Sequence, residues 1–482
     1  MSSPGRSAPT PAQGHAIVVG SGPNGLAGAL TLARAGLRVD VFEGAERAGG
    51  GCRTEALTLT GFAHDVCSTV HPLLAASPFF REAALDGISL LTPEIAFAHP
   101  LDGGRAAVVR GSVEETAAAL GADARVYRAL YSGMVAHADQ IVPAVLRPLI
   151  SVPRHPLALA RFGVPALLPV TLLARGFRTQ EGRALLAGLG AHSMRPLTAP
   201  GTGAFGVLLG VLAHTVGWPV VQGGSARIVD ALTAELGAHG ASVHTKSPIG
   251  SLSELPQSSL RLLDVTPRQL LAMAGDRLPP TYQRALRRFR YGPGVCKVDW
   301  ALEGPVPWEA AECRQTPTIH LGGTLEEISQ SEAEVAASRH PERPFCIVVQ
   351  PSVIDSSRAP EGRHTLYAYC HVPSGSDVDM SDRIEAQIER FAPGFRELIL
   401  ARTVTNAVET ERHNPNYVGG DINSGAATLR QTILRPTPSA RPYRTPLAGV
   451  YLCSSSTPPG GGVHGMCGEN AAREALAGLA RR

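Results

Sequence analysis

Three glycine clusters, and the polar residues spaced around them, are the parts of this 482-residue chain best suited to chemistry. The first cluster is Gly20-Ser21-Gly22-Pro23-Asn24-Gly25. In this spacing Gly20 allows a tight turn, Gly22 lets the backbone approach a diphosphate, and Gly25 lets helix and strand pack closely. The helix that opens at Pro23 and Asn24 turns free N–H groups toward the anion. Glu43 follows eighteen residues after Gly25, where a carboxylate can accept hydrogen bonds from both hydroxyls of an adenosine ribose. The second cluster, Gly49-Gly50-Gly51 with Arg53 behind it, adds further N–H groups and a fixed positive charge. The third, Gly460-Gly461-Gly462, permits close approach to a flat ring. A helix starting near Val463 would aim its positive end at that ring.

The elements needed to position these residues are legible around them. His15-AIVV-Gly20 reads as a short buried strand, LAGALTLARAGL after Gly25 as a helix closed by Gly36, and LRVDVFE as a second strand ending at Glu43. Val450-Tyr-Leu-Cys453 predicts a strand, and Gly468-ENAAREAL the body of a helix. Gly223-Gly224-Ser225 followed by ARIVDALTAEL predicts a turn and an amphipathic helix, then the strand ASVHT. A second match to the same glycine spacing, Gly201-Thr-Gly203-Ala-Phe-Gly206, follows no strand and has no acid about twenty residues on, so we discount it. In Val295-CKVDWAL, Lys297, Asp299 and Ala301 share one face, and Cys296, Val298 and Trp300 the other.

Beyond these patterns the chain shows a resemblance. GAERAGGGCRT resembles the R-x-G-G-x-x-R-T segment of FAD enzymes of the glutathione-reductase-like superfamily, the amine oxidases and carotenoid desaturases. Pro459-GGGVHG resembles the P-G-G-G-V-x-G signature of the phytoene desaturase family. Trp218-PVVQGGSARIVDAL, Tyr291-GPGVCKVDWAL, Ile319-HLGGTLEEI, the segment from Gln350 to Pro373 and Asn414-PNYVGGDI look closer to one branch of it. That branch is pyridine nucleotide-disulphide oxidoreductase domain-containing protein 2 and its bacterial relatives. The resemblance implies an α/β fold: a Rossmann FAD-binding domain with an inserted mixed-sheet substrate domain and a helical cap. The FAD domain would comprise residues 15–75, 220–275 and 440–482, and the substrate domain 76–219 and 276–439, after a disordered lead at 1–14. It implies FAD contacts from Gly20, Gly22, Pro23, Asn24, Gly25, Glu43, Gly50, Gly51, Arg53, Asp65, Val243, Ser455, Gly462, Val463, Gly465 and Met466. Ser454 stands where the desaturases usually have glycine, and Pro458 where they often have histidine. His64 and His71 are expected to be satisfied, partly buried imidazoles.

Bulk properties narrow the remaining classes. Hydrophobic residues make up 44% and charged residues 18%, as in soluble globular proteins, and a net charge of +3 gives no argument for nucleic acid. Only two of the 44 basic residues are lysines, which points to a GC-rich, bacterial coding bias. The eight cysteines include no C-x-x-C pair, so a thiol–disulfide relay is not expected, and the histidines form no metal-binding spacing. The first fourteen residues lack the apolar run of a secretory signal, and the expected location is cytoplasmic. Residues 204–221 are read as a buried helix rather than a membrane span. Residues 140–180 hold five arginines, six prolines and no acid. They fit either a membrane-touching entrance or a helical cap with arginines at its rim.

The leading functional expectation is an FAD-dependent dehydrogenase or desaturase acting on an apolar, polyene or lipid-like substrate, with oxygen or a quinone as electron acceptor. Saturation or isomerisation is also open. His464 is the candidate proton carrier. Lys297 is either a residue of the flavin face or a buried lysine paired with Asp299. The alternatives are an amine oxidase and a flavoprotein that works by binding partners.

Overall fold

The computed structural model describes residues 14–150 and 153–481. The expected lead at 1–14 falls, except for Gly14, outside the described residues. The chain opens with β1 (His15–Val19), α1 (Pro23–Arg34) and β2 (Arg38–Phe42). Proline starts α1 where its missing N–H is no loss, and Gly36, at φ +87°, ends the turn after it. Next come β3 (Ile95–Leu101) and β4 (Arg105–Arg110), then α2 (Ala138–Val145), α3 (Pro156–Leu167), α4 (Val170–Leu173), α5 (Gln180–Ala191) and α6 (Thr202–Thr215). After α7 (Ala226–Ala238) follow β5 (Ser242–His244) and β6 (Leu260–Leu263). A second group of strands comprises β7 (Gly294–Leu302), β8 (Thr318–Leu321), β9 (Cys346–Val349), β10 (His364–Val372) and β11 (Ile399–Thr405). The last elements are β12 (Val450–Leu452) and α8 (Met466–Leu479).

Two sheets organise the molecule. The first is parallel throughout, in the order β12-β6-β1-β2-β5, so three separate lengths of chain build it. Leu26 and Leu30 of α1, Ile228 and Leu232 of α7, and Ala471 and Ala475 of α8 form its core. Each buried Leu or Ile contributes about 1.5–3 kcal/mol. Helices α1 and α8 meet at glycine: a Cβ on Gly468 would run into the carbonyl of Asn24, and one on Gly28 would sit 3.2 Å from the carbonyl of Gly468.

The second sheet is mixed, in the order β11-β7-β10-β9-β8-β3-β4, antiparallel except where β8 meets β3. Cys296, Val298 and Trp300 of β7 enter a core with Leu366, Ile384 and Phe395. Lys297 and Asp299 occupy the opposite face, opposite Tyr369 and Tyr367 of β10. The alternation read from the sequence therefore holds.

Helices α2 to α6 pack over one side of this sheet. Pro143 and Pro165 lie inside α2 and α3, and the chain bends by 100° between α3 and the segment Val170–Gly176. The discounted glycine match is the start of α6. Gly201, at φ +87°, is its N-cap, and a Cβ on Gly203 would strike the carbonyls of Pro165 and Leu168. These glycines serve helix packing. Among the described residues no single helix is long and apolar enough to cross a membrane.

Candidate cofactor and substrate site

At the C-terminal end of β1 the chain turns through Gly20 at φ +97° and enters α1. Any side chain on Gly25 would overlap the carbonyl of Gly20, and one on Gly20 would come within 2.9 Å of the Asp264 carbonyl. Ser21 Oγ and N–H donate to Glu43 Oε2 at 2.6 and 2.9 Å, and Ala45 N–H donates to Oε1 at 2.8 Å. Three of the roughly four acceptor positions of this carboxylate are thus used to aim it. The second glycine loop docks on the first through Gly49 N–H, which donates to the Ser21 carbonyl at 3.1 Å. Among the described residues nothing in the protein accepts the N–H groups of Gly22, Gly50 or Gly51. A Cβ on Gly50 would lie 3.2 Å from Gly22 Cα, so the two loops face one another closely. Val243 pairs with Val41 on the outer strand β5.

Arg53 donates from Nε to the Gly50 carbonyl at 3.1 Å, and its guanidinium also meets His413. It shapes the second glycine loop directly. Asp264, at the end of β6, accepts the Gly25 N–H at 3.0 Å. Burial pushes its carboxyl up to about 7, against the pull of that N–H. Sequence reading missed this acid, because it looked like the end of an ordinary strand.

The C-terminal turn meets α1 through Asn24 Nδ2, which donates to Ser455 Oγ at 3.2 Å. Asn24 Oδ1 is buried without a partner. Gly460 and Gly462 both sit at φ +122°, and Gly462 is exposed. Helix α8 starts at Met466, three residues later than expected from Val463, because Gly465 at φ +67° is its N-cap. His464 lies within this turn. Its Nδ1 accepts the Met466 N–H at 3.0 Å and its Nε2 lies 3.2 Å from the Gly460 carbonyl. Burial lowers its pKa to about 4.

Two further positions bear on the expectations. Asp65 is 1% exposed and accepts from Thr54 Oγ1, Thr69 Oγ1, Ser225 N–H and Oγ, and Arg358 Nη2. Burial alone would raise its pKa; Arg358 and these donors hold it below the usual value. Arg358, itself bound to Asp355, makes Asp65 a junction between chain segments, with its oxygens taken up by protein donors. His71 is buried with neither ring nitrogen partnered, unlike the satisfied imidazole expected there. His64 does bond, to Thr58 at 2.7 Å. Lys297 Nζ lies 2.5 Å from both oxygens of Asp299 and 3.1 Å from the Asp65 carbonyl, below the ring of Tyr367. This is the paired, buried lysine of the second reading.

Residues 413–425 form a strap across the cradle. Asn414 lies near Gly50, Asn416 donates to the Asp264 carbonyl at 2.8 Å, and Tyr417 packs against Gly51 and Cys67. Asn423 lies against Gly461 and donates to Met194 Sδ at 3.2 Å. Met194 is held at φ +53°. Just before it His192 Nε2 meets His320 Nε2 at 3.0 Å, and His371 bonds Glu332 at 2.8 Å. Burial keeps His192 neutral, down to about 3, and holds His320 well below its usual value. Nothing local in the sequence marks His192 and His320 as partners.

The buried orphan on Asn24, the three free glycine N–H groups and the oriented Glu43 fit a dinucleotide. A model of NAD(P)-binding Rossmann-like domains matches residues 18–83. The fold is also similar to that of a putrescine oxidase variant redesigned in its cofactor binding. The TM-score is 0.63 at 17% identity, covering 98% of this chain and 99% of that one. The second glycine loop and the C-terminal turn both dock on the α1 end of the sheet and complete the Rossmann-like half of a two-sheet α/β architecture. Among proteins of similar sequence is pyridine nucleotide-disulfide oxidoreductase domain-containing protein 2 of Rattus norvegicus, 26% identical over 95% of this chain and 92% of the relative. A 4,4'-diapolycopen-4-al dehydrogenase of Metabacillus indicus is 33% identical over 26% of each chain.

Proposed function

We propose that this chain is an FAD-dependent dehydrogenase of the carotenoid desaturase type, acting on carbon–hydrogen bonds of an apolar, uncharged substrate. Bound FAD would supply the hydride acceptor. The N–H groups of Gly22, Gly50 and Gly51 bind the diphosphate, Glu43 takes the ribose hydroxyls, and Val243 borders the adenine. Gly465 and Met466 offer the positive end of α8, with Ser455, Gly462 and Val463 beside it. Pro23 fixes the direction of α1.

The observation that carries the substrate class is the character of the wall beside the C-terminal turn. His192 and His320 are neutral, and Tyr369, half-buried, is un-ionised, since desolvation raises its pKa. Asp299 is engaged by Lys297, whereas Glu332 meets His371 through Oε1 and keeps Oε2 without a partner. That remaining carboxylate oxygen is fully buried, so an ammonium group would find no accessible anion among these residues, which weighs against amine oxidation. The test is the visible spectrum of the purified protein before and after anaerobic addition of a cell lipid extract. Bleaching of the flavin bands by lipid supports the reading. Bleaching by simple amines instead would replace it with amine oxidation. A flavin that stays oxidised with both would favour a binding protein.

A further inference from the structure

Helix α3 is apolar on two faces, and only one of them is covered. Ala158, Phe162 and Ala166 point inward, with Gly203 of α6 set close against the end of the helix. The opposite stripe, Leu157, Val164 and Leu167, is 83%, 66% and 54% exposed. Leu172 extends this surface beyond the bend at 42%. Of eleven large hydrophobic residues this exposed among the described residues, six lie between 149 and 172, so the exposure is concentrated rather than scattered.

Around the stripe stand Arg147, Arg154, Arg161, Arg175 and Arg178, all exposed. Among the described residues none of the five has an ion-pair partner, and residues 140–180 contain no acid. Arg161 lies four residues after Leu157 and three before Val164, within the apolar stripe itself. An apolar helical face carrying unpaired arginines is complementary to a surface that is anionic outside and hydrocarbon beneath. A protein partner would have to supply a matching apolar groove and a surplus of acids together. A bilayer provides both without specific fit.

We infer that this face, α3 with the bend that follows it, docks the protein on the surface of an anionic lipid bilayer. Leu157, Val164, Leu167 and Leu172 enter the acyl boundary and the arginines reach the phosphates. The docking stands apart from the proposed chemistry, though it would bring the helical cap to a source of apolar substrate.

The experiment is flotation of the FAD-loaded protein with two kinds of vesicle, pure phosphatidylcholine and phosphatidylcholine containing phosphatidylglycerol, at low and high salt. The protein should float with the anionic vesicles and be released by salt. The variant L157S/V164S/L167S should bind at least about tenfold more weakly while keeping its flavin spectrum. R154Q/R161Q/R175Q should lose most binding and its salt dependence. Failure of the wild type to float with either vesicle would overturn the inference, as would unchanged binding by the serine variant. A wild-type dimer that the serine variant dissociates, without vesicle binding, would reassign the face to self-association.

Discussion

Replacing Lys297 by methionine separates a structural lysine from one free for catalysis. The ammonium lies 2.5 Å from both carboxylate oxygens of Asp299, with 6% and 0% of the two residues exposed. At an effective dielectric constant of about 20, that separation is worth roughly 7 kcal/mol of gross attraction. Desolvating each ion costs several kcal/mol, so the intact pair contributes little net stability. The variant is different, because Asp299 then stays buried with only the His64 imidazole at 3.5 Å beside it. Breaking such a pair costs about 3–5 kcal/mol. K297M should lose that much stability in urea, D299N a similar amount, and K297M/D299L should recover most of it. Tryptophan fluorescence is the assay, because Trp300 lies on the same strand, fully buried. A K297M protein with an unchanged unfolding midpoint but no flavin reduction would refute this reasoning, and would return the lysine to the chemistry.

Stability should also fall steeply as pH drops from about 6.5 to about 4. Burial lowers His71, His99 and His464 to about 4 and His192 to about 3, from a usual 6.5. In that window the unfolded chain binds protons that the folded one refuses, which favours unfolding. Asp264, raised to about 7, acts in the opposite sense and offsets about one of these protons. Urea titrations at several pH values check the slope, and a flat profile would mean that these imidazoles are solvated. Gly468→Ala should lower the thermal midpoint and flavin retention, although alanine favours a helix over glycine by about 1 kcal/mol. The overlap with Asn24 at the helix crossing outweighs that preference, and differential scanning fluorimetry measures the outcome. Glu43→Gln should weaken FAD binding by roughly tenfold, about one charge-assisted hydrogen bond. Fluorescence titration of the apoprotein reads this, and undiminished affinity would remove Glu43 from the ribose site.

Much of the cofactor half was legible because its signals are local. Gly20, Gly22 and Gly25 lie within six residues, and strand, turn and helix each follow from neighbouring positions. Less was legible where partners are remote. Asp65 sits where a cofactor contact was expected, yet its ligands Ser225 and Arg358 lie 160 and 293 positions away. The His192–His320 pair joins α5 to β8 across 128 positions, and no periodicity announces it. His464 is a local case. Its place beside the glycine turn was right, but its two ring nitrogens are used by the turn itself. The strap at 413–425 was visible only as part of a resemblance, since its asparagines gain meaning from the loops they lie against.

The three-part construction of the first sheet sets a timetable for synthesis. Strand β1 and helix α1 leave the ribosome early, but α8, which covers α1 at the Gly28–Gly468 crossing, begins only at Met466. At about 5–20 residues per second, α1 waits roughly 20–90 s with Leu26 and Leu30 lacking their final cover. The cofactor cradle therefore closes only once α8 has emerged. For that interval the nascent chain depends on chaperones or on temporary packing against α7. A chain cut between β12 and α8 would then be a long polypeptide with an open nucleotide site, a natural substrate for proteolytic quality control.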